Sequence, residues 1–289
     1  MASTTASAER VGSQSVGSGA LGRILLYGVL ILFSLFFLLP LLWMLVTALK
    51  PQAEWLSPSW VPTNPTTSNF QQILNNPSAP VLRWFANSML IATAFTLLTL
   101  ALDAAAAYAY ARMEFPGRSA LFGLLLATLV MPGIIFLVPN YLTVARLGGL
   151  NNYWGVIAPG LAGVFGVFFL RQFFQGIPKE LEEAALIDGA GVWTTFYKVV
   201  LPLAKPAMAT LGIITFLASW NDFLWPLLVM QQPDKLTLPV GLATFQGAYV
   251  FEYGPLMAGA VIAAVPVLIL YLILQKYIVA SVAMTGIKG

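Results

Sequence analysis

From Ile24 to Leu49 the chain carries no charged residue, and the run exceeds the roughly 20 apolar residues that a helix needs to cross a bilayer. A cleaved leader has an apolar region of only about 7–15 residues, so this run reads as a retained anchor. Five comparable stretches follow, at residues 85–111, 120–145, 154–174, 207–230 and 256–280. Apolar residues make up 59% of the chain and charged residues 9%, against about 45–50% and about 25% in soluble domains. Such a chain cannot cover itself with polar groups, so the bilayer is its solvent. In hydrocarbon every backbone N–H and C=O must be satisfied inside the protein, which here leaves helices. The expected fold is all-α: a polytopic membrane protein of six transmembrane helices over residues 23–289. Residues 1–22, rich in Ser, Ala, Gly and Thr, have too little apolar content to pack and read as a disordered tail.

The segments between the spans are polar and uneven in charge. Residues 50–84 hold six prolines and three tryptophans; that proline density rules out a regular helix there, and Trp suits a bilayer interface. With the N-terminus inside, the inner segments and span ends hold ten basic residues and the outer ones four: Lys50, Arg83, Arg146 and Lys235. Basic residues favour the cytoplasmic side, so both termini are expected there. So is the longest inner segment, the polar island at residues 176–206. Pro132, Pro139, Pro159, Pro226 and Pro266 fall inside spans, where each frees a carbonyl and permits a kink.

The island holds four of the eleven acidic residues, Glu180, Glu182, Glu183 and Asp188. Pro178 suits a first helical position, and the three glutamates favour the positive end of a helix dipole. Leu181, Ala184, Ala185 and Asp188 recur at helical spacing and share a narrow face of small residues that admits a closely approaching surface. Gly189 and Gly191 are expected to stop this helix, because glycine takes left-handed geometry without penalty. A second short helix is expected over residues 192–200, with Pro202 and Pro206 marking the return to the membrane. The result is a short helix-turn-helix knob at the membrane surface.

Glu183-Ala184-Ala185, Asp188-Gly189-Ala190, Leu201-Pro202 and Pro206 resemble the EAA coupling loop of ABC importer permeases. The segments 219–226 and 237–242 and the terminal Gly286-Ile287-Lys288-Gly289 resemble the carbohydrate-uptake, MalG-like branch. The resemblance covers residues 24–289. It implies a type I ABC importer permease fold in the cytoplasmic (inner) membrane of a prokaryote. It also implies partners: a second, MalF-like permease, two ABC ATPase subunits that bind ATP and Mg, and an extracytoplasmic solute-binding protein that delivers a sugar. Beyond membrane lipid no further partner is expected, and no nucleic acid. By the same resemblance, Glu180, Glu183, Ala184, Ala185, Asp188, Gly189 and Ala190 dock the ATPase, while Gly286, Lys288 and Gly289 thread between the two ATPases. Gln246, Gly247, Tyr249, Glu252 and Tyr253 match in position a loop that touches the binding protein.

The chain has no Cys and no His, which excludes thiol chemistry, thiolate metal sites and imidazole catalysis. No G-x-x-x-x-G-K-[ST] phosphate loop occurs, so no ATP hydrolysis, catalytic residue, cofactor or metal is expected in this chain. Asp103 and Asp222 lie at membrane depth, where a central Asp costs about 2.5–3.5 kcal/mol on the insertion scale. Both should face protein or a water-filled path. Asp103 precedes the small residues Ala104 to Ala107 and suits close helix packing. Asn221 and Asp222, flanked by Trp220 and Trp225, offer hydrogen bonds beside aromatic faces, as a sugar requires, but also suit a lock inside the bundle. The rival reading is an ATP-independent secondary transporter or channel. It leaves the knob without a task, and no internal repeat of the kind that builds such transporters is visible.

Overall fold

The computed structural model describes residues 20–161, 163–248 and 252–285. All secondary structure among them is helical: α1 (Ala20–Ala48), α2 (Ser68–Leu74), α3 (Val81–Arg112), α4 (Arg118–Ala127), α5 (Leu137–Arg146), α6 (Tyr153–Ile157), α7 (Val164–Gln175), α8 (Glu180–Ile187), α9 (Val192–Thr195), α10 (Leu201–Leu203), α11 (Lys205–Trp220), α12 (Leu224–Val229), α13 (Leu238–Ala248) and α14 (Tyr253–Thr285). A π-helical turn, Phe196–Val200, joins α9 to α10. Among the described residues three helices are long and apolar enough to cross a membrane unaided, or up to six if each of three bent pairs is one span. The third pair, Val192–Leu203 with Lys205–Trp220, bends by 78° and begins in the segment that follows α8.

The bends fall where the sequence carries breakers. Arg118–Val130 and Gly133–Arg146 meet at 94°, across Met131-Pro132, so the third expected span is two rods. Tyr153–Gly160 and Val164–Gln175 meet at 51°, after Pro159. The fifth expected span, 207–230, is not continuous either: α11 stops at Trp220 and α12 starts at Leu224.

The long rod α3 is the hub, packed against α7, α11, α13 and α6, while α1 lies along α14. Two apolar clusters form at its ends. One gathers Ile73, Val81, Trp84, Ile91, Phe216, Trp220, Val229 and Leu238. The other gathers Ala104, Ala107, Tyr108, Leu170, Phe174, Phe196, Val200 and Leu211. Between them lies a waist where buried Thr96, Thr99 and Asp103 replace bulky apolar side chains. Gly166 of α7 sits against the Asp103 carboxylate, and Gly212 of α11 sits against Leu100 and Thr96. Glycine lets backbones approach where a side chain would hold them apart.

At the first cluster's end, side-chain amides and hydroxyls tie the connectors down. Asn69 donates through Nδ2 to Ala48 O and Lys50 O, both at 2.8 Å, satisfying carbonyls at the end of α1. Asn87 donates to Asp234 O (3.0 Å) and Leu236 O (2.9 Å) and accepts from the Tyr153 hydroxyl at 2.8 Å. Ser88 Oγ accepts the Leu238 N–H at 2.8 Å, supplying from α3 an acceptor for the first turn of α13.

Two expectations for the connector at residues 50–84 are corrected. Residues 66–76 contain no proline, and α2 forms there despite the proline-rich flanks. Trp84 is not an interfacial residue: it lies inside α3, is 2% exposed, and donates Nε1–H to Pro233 O at 2.7 Å. Pro239 falls in the first turn of α13, where its missing N–H costs nothing.

A Cβ at Gly241 would land on the Trp84 indole, which has no room to move. Gly241→Ala is expected to destabilise the fold by about 1–3 kcal/mol, the usual cost of overpacking. The check is a lower thermal unfolding midpoint of the purified protein in detergent.

Candidate functional site

The knob is built from the expected residues, with two changes of detail. After α7 ends, Ile177 is buried and Pro178 stands outside the helix, two residues before α8. Proline there directs the chain into the helix rather than opening its first turn, which Glu180, Glu182 and Glu183 occupy. At the far end Gly189 has φ +82°. Its N–H bonds to Leu186 O at 3.0 Å, and the Ala190 N–H reaches back to Ala185 O at 2.9 Å. This paired arrangement closes a helix that ends on left-handed glycine. Gly191 takes no part in it: its φ of −76° is extended, and it opens α9 instead.

The hairpin has two unlike faces. Glu180, Glu183, Ala184, Asp188 and Gly189 are exposed, with Ala185 and Ala190 half-buried. Around them stand apolar side chains that the sequence patterns above do not single out: Leu186, Ile187 at 87% exposure, Trp193 and Tyr197. Apolar groups clustered in water mark a surface awaiting a partner. The signal was present in Ile187, an apolar residue directly before the Asp-Gly helix stop, and in Trp193 and Tyr197, four residues apart in the second arm of the hairpin.

The opposite face is anchored. Glu182 turns inward, and its Oε1 pairs with Arg112 Nε at 2.6 Å. Its Oε2 accepts from the Tyr108 hydroxyl at 3.1 Å. Arg112 Nη2 also donates to Ile177 O at 2.6 Å. The Tyr108 ring lies 4.9 Å from that of Phe196 on the second arm of the hairpin.

The four residues expected along a solute path separate. Asp222 and Trp225 line a cleft of about 310 Å³ together with Phe95, Asn140, Pro159 and Ser219. Trp220 is core: it is 2% exposed, stacks on Phe216 and meets Phe85 edge-on. Asn221 is exposed and donates Nδ2–H to Leu217 O at 2.9 Å. Trp225 is fixed by Nε1–H to Gly155 O at 3.2 Å, and the backbone N–H groups of Trp225 and Phe223 serve the Asp222 carboxylate. The cleft also takes in Gly133 and Gly160, so the breaks after Val130, after Gly160 and after Trp220 open onto it, while the 78° bend at Ala204 lies elsewhere. Interrupted backbone at membrane depth is tolerated where it is buried or lines a watered cavity.

Asp103 is buried against Gly166, at the close approach of α3 and α7 that its small neighbours favour. Gln246 and Gly247 fall within α13, Glu252 is half-buried, and Tyr253 opens α14 at 43% exposure. Tyr249, Gly286, Lys288 and Gly289 lie outside the described residues.

Broken and unbroken spans around a central rod, with a two-faced polar knob at one end, define a membrane-embedded transport subunit. Residues 104–284 match the family described as binding-protein-dependent transport system inner membrane component, and the chain belongs to that family. It is 37% identical, over 254 residues, to the arabinooligosaccharides transport system permease protein AraQ of Halalkalibacterium halodurans, a match covering 86% of this chain and 91% of the relative. It is 37% identical, over 262 residues, to the diacetylchitobiose uptake system permease protein NgcG of Streptomyces coelicolor, covering 89% and 86% of the two chains. Its fold matches a crystal structure of a bacterial ABC transporter that imports alginate, with a TM-score of 0.78 and 24% identity over 89% of this chain and 96% of the other.

At Gly189 the positive φ makes any side chain costly, by about 1–2 kcal/mol for a left-handed residue. Gly189→Val is expected to fray the turn of the hairpin while the spans persist. Limited proteolysis in detergent checks this by faster cleavage confined to residues 186–192.

Proposed function

We propose that this chain is the permease subunit of an ATP-driven importer that takes a sugar or sugar-like polyol across the cytoplasmic membrane by alternating access. The observation that carries this reading is the knob: an exposed face of acidic, small and apolar residues on a hairpin whose other face is pinned to a spanning helix. A protein that drives its own transport has no use for such a handle. One moved by a separate motor requires it. The uptake relatives named above support a carbohydrate as cargo.

In this reading two ATPases bind ATP and Mg and grip Glu183, Ile187 and Gly189, drawing their docked knobs together as they close. A second, homologous permease completes the pathway, and an external binding protein delivers the solute to the opposite face. The knob and both termini face the cytoplasm, in line with the ten-to-four placement of basic residues. The cleft at Asp222, Asn140, Ser219 and Trp225 contributes this chain's share of the solute path. It has the hydrogen-bonding groups and ring face that sugar hydroxyls and C–H faces need.

Ile187→Asp places a charge in the apolar part of the docking face. It is expected to lower co-purification of the ATPases and solute uptake together, each by about tenfold or more, as for loss of an interface hot spot. Uphill uptake by the chain alone, with no ATPase attached, would return the rival reading of a self-powered transporter. Orientation is open to direct test because the chain has no Cys. A single Cys at Lys198 is expected to react with an impermeant maleimide only in inverted vesicles, and one at Lys235 only in right-side-out ones.

A further inference from the structure

Arg112, Glu182 and Tyr108 form a buried polar cluster that the docking role of the knob does not use. We infer that it is the transmission joint of the subunit: it makes the knob and the hub helix α3 one rigid body, so that displacement of the knob turns α3. This rests on the motor-driven reading above.

The geometry ties α3 to every part of the hairpin. Arg112, the last residue of α3, pairs with Glu182 on the first arm at 2.6 Å. The same guanidinium donates to Ile177 O at 2.6 Å, at the hairpin's entry. One turn earlier Tyr108 donates its hydroxyl to the second oxygen of Glu182 and lays its ring against Phe196 on the second arm. Tyr108 also contacts Phe174 at the end of α7, edge-on at 6.4 Å. The guanidinium holds two partners at once, the Glu182 carboxylate by charge and the Ile177 carbonyl by a hydrogen bond, and its planar group spans both as a single ammonium does not. Burial excludes the water that would otherwise let the pair exchange partners. Entry, first arm and second arm thus all report to one end of α3. A knob held by the chain alone could pivot and absorb the pull of a motor; one clamped in this way passes it on. Glu182 and Arg112 are positioning residues on this account, touching neither solute nor nucleotide.

The test uses the whole assembly with Arg112→Met, Glu182→Leu and the Arg112→Met/Glu182→Leu double variant. Amount in the membrane and ATPase co-purification are read first, then ATPase activity with and without the binding protein, then uptake. Each single variant leaves a charge buried and unpaired, while the double replaces the pair by apolar groups of similar size. The single variants are expected to keep ATPase co-purification within about twofold, to lose about tenfold in uptake per ATP hydrolysed, and to lose stimulation by the binding protein. The double variant is expected to recover uptake per ATP to within about threefold, through apolar packing alone. Should a single variant fail to accumulate, Arg112→Lys, which keeps the charge but loses the fork, takes its place with the same expected loss. Normal uptake per ATP in the single variants overturns the joint and leaves the motor-driven reading intact. Loss of ATPase co-purification in step with uptake also overturns it, since the cluster would then only shape the docking face. A wild-type chain that binds no ATPase removes both.

Discussion

Hydrocarbon offers no hydrogen bonds, and most of the architecture follows from that refusal. Where the chain crosses the bilayer it runs in helices, which close their own backbone groups. Where a helix must stop, a side chain or a cavity takes over. Asn69 serves the carbonyls at the end of α1, Ser88 serves the start of α13, and Asn87 holds the segment leading into it. The breaks after Val130, Gly160 and Trp220 converge on a single cleft, so interrupted backbone and polar side chains are gathered in one place.

The knob solves a different problem, that of holding still at a surface. Two-turn helices are marginal on their own. This one is fixed by an acid-rich first turn, a glycine closure and a buried ion pair with a neighbouring span. The consequence is a division of labour around one helix. Glu182 looks inward to Arg112, while Glu183 and Ile187 look outward, within little more than a turn of one another.

The three unbroken spans, the hairpin and the left-handed Gly189 were legible in the sequence because each depends on local pattern: long apolar runs, an acid-rich start, an Asp-Gly stop. What was not legible depends on contacts across long separations. Glu182 reads like its neighbours Glu180 and Glu183 until Arg112, seventy residues away, is seen beside it. Trp84 and Trp220 have the composition of interfacial or sugar-facing aromatics, yet both are core, chosen by the helices that happen to pass. Asp222 and Trp225, close in sequence, line one cleft, but Asn140 and Ser219 could join them only once the breaks were folded onto one another. Gly191 differs from Gly189 only in φ, which residue type alone does not decide.

The slender middle of α3 has a mechanical meaning. Large interlocking side chains grip the rod above and below, whereas at mid-height it meets Gly166 and Gly212 across short, smooth surfaces. Sliding or tilting there has few interdigitated side chains to disturb, because the two facing glycines carry none. The rod is therefore shaped as a lever resting on its narrowest point, with the fulcrum at the level where two neighbours have given up their side chains.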